Sequence, residues 1–140
     1  MKNFPPTIRW LPPLLWAGLI LFLSSRPFLG AVEEPSSALY LLRKAAHIGE
    51  YFILAYLAAR ALVEEGRLSL PQAWVLGAVL VAFAAGDEYL QTFIPGRSGQ
   101  ASDVLIDTIG ISVALFWWRA SGRRRERREK NPISQSPKIL

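Results

Sequence analysis

Lys44, His47 and Tyr51 fall at i, i+3 and i+7, so on a helix they share one face. Glu50 sits about 60° around the same helix from His47. A second polar set occupies residues 84–110, AAGDEYLQTFIPGRSGQASDVLIDTIG, with carboxylates at Asp87, Glu88, Asp103 and Asp107 and one arginine, Arg97. Asp87 and Gln91 are a turn apart, Glu88 and Gln91 share a face, and Asp103, Asp107 and Gly110 stack at i, i+4 and i+7. His47 is the chain's single histidine. A carboxylate partner such as Glu88, Asp103 or Asp107 would tune it for general-base or proton-carrying work. Lys44 and Arg97 point to an anion site, because a planar guanidinium grips phosphate or carboxylate bidentately. The same two cations can instead neutralise the neighbouring carboxylates, which would make the set an internal clamp. Tyr51 and Gln91 add hydrogen-bonding groups that cost free energy if left unmade away from water. One histidine without HExxH-type spacing makes no metal site, and no cofactor is expected.

The elements that must carry these groups are apolar. The chain has 140 residues, 51% of them hydrophobic and 19% charged, with five Trp and no Cys. High apolar content with clustered charge indicates a membrane protein, and the lack of Cys removes disulfides and thiol chemistry. Four apolar blocks stand out, at residues 10–25, 45–63, 70–86 and 104–118. Each is shorter than the roughly 20 residues of a full span, so each must continue into its polar flanks, tilt or thin the bilayer. Blocks two and three lack the continuous polar stripe of a soluble surface helix. Pro12, Pro13 and Pro71 fall in first turns, where a missing N–H costs little. Two prolines in the first block, and no convincing small-residue cleavage site after it, argue against a removed signal peptide. The expected fold is all-α: a polytopic bundle of four transmembrane helices over residues 1–119, followed by a basic, disordered cytoplasmic tail over 120–140.

Charge placement sets the orientation. With both termini cytoplasmic, twelve of the sixteen Lys and Arg lie inside, and Arg26, Arg43, Lys44 and Arg97 lie outside, as the positive-inside bias requires. The RRRERR run of the tail then anchors a helix end to anionic lipid, which accounts for the net charge of +5 without nucleic acid. In this topology the start of block two, the end of block three and the start of block four share the outer face. Those ends hold nearly all the polar groups named above, and Pro95-Gly96 is a turn that can fold Arg97 back over them. Glu33 and Glu34 in the first outer loop are expected to be solvated. Asp87 is the carboxylate of the second set most readily assigned to solvent.

The segments KAAHIGEYFIL and DEYLQTFIPGRSGQASDVLIDTIG resemble the VanZ-like family over about residues 15–116. The match rests on Lys44, His47, Tyr51, Leu54, Glu88, Gln91, Pro95, Gly96, Arg97, Ser102, Asp103 and Gly110. The resemblance implies a small multi-pass membrane protein of the plasma membrane, in a family named for a member associated with teicoplanin resistance; it implies no particular reaction. The family usually has Asn where this chain has Asp107. The functional expectation is an outward-facing pocket for an anionic lipid or lipid-linked cell-wall precursor headgroup. In it Lys44, Tyr51, Gln91, Arg97 and Asp107 bind, and His47, Glu88 and Asp103 form an acid–base or orienting set. The alternatives are a membrane-embedded enzyme with His47 or a carboxylate as base, and a non-catalytic structural protein.

Overall fold

The computed structural model describes residues 5–26, 37–63, 68–95, 97 and 99–130. The loop around Glu33 and Glu34, the inner-loop residues 64–67, Gly96, Ser98 and the segment 131–140 lie outside the described residues. Among those described there are five α-helices and no strand: α1 (Pro6–Arg9), α2 (Leu11–Ser24), α3 (Ser37–Leu62), α4 (Leu70–Gln91) and α5 (Ala101–Lys130). The local signals explain their ends. α2 carries proline in its first turn. α4 opens on a capping box in which the Ser69 hydroxyl accepts from the Gln72 backbone N–H and the Gln72 side chain accepts from that of Ser69, satisfying two donors that a helix start leaves unpaired.

Among the described residues three helical segments are long and apolar enough to cross a membrane: Thr7–Ser24, Leu70–Gln91 and Ala101–Gly122. α3 is not among them, and its first half carries Arg43, Lys44, His47 and Glu50. The expected four-span bundle therefore has three members that qualify by length and composition. One boundary needs correcting. α5 continues to Lys130, so residues 120–130, expected to begin a disordered tail, are helical. Arg, Glu and Lys are good helix formers, and extending a helix that already exists costs far less than nucleating one.

The helices alternate in direction. α3 and α5 run parallel, with Lys44 against Asp103, His47 against Asp107, and Tyr56 against Trp117 and Trp118. α2 and α4 run parallel to each other, joined at their C-terminal ends by Ser24 and Asp87. Five alanines, Ala55, Ala58, Ala59, Ala84 and Ala114, lie in the core among larger side chains such as Ile20, Tyr51, Leu54 and Ile111. Among hydrocarbon tails helices gain little from burying apolar surface, so close van der Waals approach has to hold them. Gly110 marks the tightest point. A Cβ there would stand 3.1 Å from the Phe52 nitrogen and nearer still to the Ile48 carbonyl oxygen. Large apolar side chains such as Leu14, Val75, Leu105 and Phe116 face outwards, as lipid contact requires.

Candidate functional site at the polar end of the bundle

The alternating directions bring the C-terminal ends of α2 and α4 together with the N-terminal ends of α3 and α5. Sequence spacing put Lys44, His47 and Tyr51 on one face of α3, and the parallel register with α5 supplies their neighbours. The Lys44 ammonium is hydrogen-bonded and ion-paired to Asp103. His47 Nδ1 lies 3.1 Å from Asp107 Oδ1. The two pairs sit one turn apart on both helices, which is what i, i+3 on α3 and i, i+4 on α5 deliver when the helices run side by side. His47 thus meets Asp107, while Asp103 serves Lys44. Asp107 is the carboxylate that fixes the imidazole.

Glu88 is buried and accepts a hydrogen bond from the Gln100 backbone N–H at 2.7 Å. That bond ties the loop before α5 to the last turn of α4. Gly99 sits so close to the Glu88 carbonyl that a Cβ there would collide with it. Arg97 folds back, as the turn signal suggested, but onto backbone. Its Nε donates to the Arg26 carbonyl at 3.1 Å, Nη2 to the Leu23 carbonyl at 3.2 Å, and Nη1 to Gln91 Oε1 at 3.2 Å. A cation on the last carbonyls of a helix complements its dipole and occupies acceptors that have no partner within the helix. Burial draws the Arg97 pKa down from the usual guanidinium value, and the Arg43 charge adds to the shift. An arginine nevertheless stays charged at neutral pH.

Asp87 corrects the sequence expectation. It is 3% exposed rather than solvated. Its Oδ2 accepts from Ser24 Oγ at 2.8 Å and from Gln91 Nε2 at 3.3 Å. The reason is tertiary: its face of α4 turns towards the end of α2, and Ser24 supplies a donor there. Ser24 was not singled out from sequence, because a serine closing an apolar block is an ordinary boundary residue. Trp16 was missed too; its indole N–H donates to the Glu50 carbonyl at 2.9 Å, pinning α2 to α3. Tyr51 Oη and Asp87 Oδ1 are buried and have no hydrogen-bond partner among the described residues.

Among the described residues no group of three His, Cys, Asp or Glu side chains is placed to hold a metal ion. The VanZ/LLP1 family model matches residues 9–121. The chain belongs to the VanZ/LLP1 family. With three apolar helices of spanning length, it is a VanZ-like multi-pass membrane protein. No curated protein and no solved structure matches it. The matched region runs from the start of α2 to the last apolar turns of α5, so it takes in every element of the polar end.

Chemically, this end of the VanZ/LLP1 chain holds more carboxylate than cation. Glu50, Asp87, Glu88, Asp103 and Asp107 face Lys44, Arg97 and His47. Ionisable groups beside a membrane span are costly and are retained where they serve a site. Lys44 and Arg97 make bonds within the bundle, and the side chains of Arg26 and Arg43 are exposed at the rim, with the Arg26 guanidinium 4.3 Å above the Phe22 ring.

Proposed function

We propose that this protein works in the plasma membrane with both termini cytoplasmic, binds the headgroup of an anionic lipid or lipid-linked cell-wall precursor at its polar, outward-facing end, and thereby alters susceptibility to glycopeptides of the teicoplanin type. The observation that carries this reading is the convergence of four helix ends on one polar cluster whose inner groups are carboxylates and whose rim is cationic. α3 is the fourth span in this reading. It packs along α5 from Lys44 to Tyr56, and a helix paired with a spanning helix over that length crosses at the same depth.

In this site the exposed guanidinium groups of Arg26 and Arg43 attract the phosphate by charge and geometry, and the part-buried Arg97 beside them adds its charge. Lys44 is shared between the headgroup and Asp103. His47, oriented by Asp107, and Glu88, held by the loop, form the acid–base or orienting set, with Tyr51 and Gln91 as hydrogen-bonding support. The test is expression in a teicoplanin-sensitive bacterium, comparing the wild type with Arg97→Ala and His47→Ala variants at matched amounts of folded membrane protein. Reduced susceptibility with the wild type and its loss in both variants are expected. Unchanged susceptibility with abundant folded wild-type protein refutes the reading.

The His47–Asp107 contact favours one second reading, a membrane-embedded enzyme acting on a lipid-linked substrate. A carboxylate on one ring nitrogen orients an imidazole and supports it as a base. Turnover abolished by His47→Ala with lipid binding retained would select the enzyme. Equal loss of folded protein with every substitution in the cluster would leave only a structural clamp.

A further inference from the structure

Two cavities lie end to end along the seam between α2 and α4. The lower one, about 540 Å³, is lined almost wholly by apolar side chains of α2, α3 and α4. The upper one, about 400 Å³, lies between α2 and α4 and is lined by the polar Ser24, Ser25, Asp87 and Gln91 together with apolar side chains. On α4 the lining passes from Leu80 and Phe83 to Asp87 and Gln91 in steps of three and four residues, so both cavities use one helix face. From Gln72 to Asp87 the seam covers roughly 22 Å at 1.5 Å per residue, more than the roughly 15 Å depth of one leaflet.

We propose that this seam holds one lipid whose headgroup carries a primary ammonium, with the ammonium on Asp87 and a hydrocarbon chain in the apolar groove below. The inference goes beyond the anionic-headgroup function proposed above and rests only on its outward-facing polar end; it gives that end a second, amine-bearing lipid and assigns a residue the first function does not use. Asp87 Oδ2 already accepts two hydrogen bonds, from Ser24 and Gln91. Oδ1 is buried, unpartnered and part of a carboxylate lining the cavity. A buried acceptor without a donor is costly, and a primary ammonium brings three donors together with the opposite charge. A quaternary ammonium brings the charge and no donor. The apolar groove beneath selects a lipid over a free amine, because only a lipid fills both cavities.

The experiment titrates the purified full-length protein in detergent with phosphatidylethanolamine, phosphatidylcholine and phosphatidylglycerol of identical chains, reading bound lipid by native mass spectrometry. Phosphatidylethanolamine should bind at least about tenfold more tightly than phosphatidylcholine, as losing a hydrogen bond to a charged group implies. Asp87→Asn should abolish that preference. Gly18→Leu should weaken binding of all three lipids, because Gly18 lines the upper cavity and a Cβ there meets nothing within 4 Å, so the longer side chain fills the cavity without disturbing the helix. Equal affinity for ethanolamine and choline headgroups in the wild type overturns the proposal, as does a preference that survives both substitutions. A second copy of the chain in the seam, seen as a dimer that excludes lipid, overturns it too. A phosphatidylglycerol preference that depends on Arg97, without amine selectivity, would sink this inference and leave the headgroup function standing. Amine selectivity through Asp87 in a protein without effect on glycopeptide susceptibility would do the reverse.

Discussion

Replacing Gly110 by Ala should part the two helices that build the site. A methyl group at this position would lie 3.1 Å from the Phe52 nitrogen, 3.2 Å from the Ile48 carbonyl carbon and closer still to the Ile48 oxygen. All three are backbone atoms of α3, so no side chain can rotate aside. Restoring an ordinary separation of about 3.5 Å requires α3 and α5 to move apart by roughly 1 Å. The His47–Asp107 contact is 3.1 Å long, and it lies one turn away on the same two helices. The same displacement takes it beyond the ~3.2 Å upper range of a good N–H···O hydrogen bond. Overpacking costs about 1–3 kcal/mol and the lost contact about 1–2 kcal/mol. The better helix propensity of Ala returns about 1 kcal/mol, leaving a net loss of about 1–4 kcal/mol. Gly86→Ala is the matched control, because a Cβ there meets nothing within 4 Å; that variant should be neutral or slightly more stable. The assay is reversible unfolding in mixed micelles at increasing denaturing detergent, read by circular dichroism. If Gly110→Ala proves as stable as Gly86→Ala, the close α3–α5 crossing, and with it the register that pairs His47 with Asp107, is refuted.

A double-mutant cycle on Lys44 and Asp103 should return a coupling of about 1–3 kcal/mol, because these side chains are 14% and 10% exposed and so largely shielded from water; additive single-mutant effects would refute the pairing. Arg97→Ala should destabilise the protein by about 1–3 kcal/mol in the same unfolding assay, and Arg97→Lys should recover only part of that, since an ammonium cannot span two carbonyls and an amide as the guanidinium fork does; full recovery with Lys would show that charge alone matters. An Ala101→Cys variant in intact cells should react with a membrane-impermeant thiol reagent added outside, because Ala101 is exposed at the start of α5; labelling only after lysis would reverse the orientation proposed above.

Local chemistry made much of the fold legible. Apolar blocks flanked by Pro12, Pro13, Pro71 and Ser69 mark helix starts whatever the rest of the chain does, because proline and capping act within a single turn. Helical periodicity likewise put Lys44, His47 and Tyr51 on one face, and Asp103, Asp107 and Gly110 on another. The polar stretch between two apolar blocks marks Glu88, Gln91 and Arg97. The end of α5 was harder to read: a basic segment reads equally as a disordered tail or as the continuation of a helix, and the helix already formed before it decides the matter.

What the sequence by itself determined is which residues share a helix face and which helix ends share a side of the bundle, because both follow from a fixed repeat and from alternating direction. Tertiary structure alone decided the partners. A slip of one turn between α3 and α5 would leave every face pattern intact yet bring different carboxylates to His47 and Lys44, and the close approach at Gly110 is what fixes the register. The same holds for Asp87, polar and unremarkable in sequence, whose burial depends on α2 ending beside it with Ser24. Periodicity is a property of one helix, whereas burial and pairing belong to the contact between two.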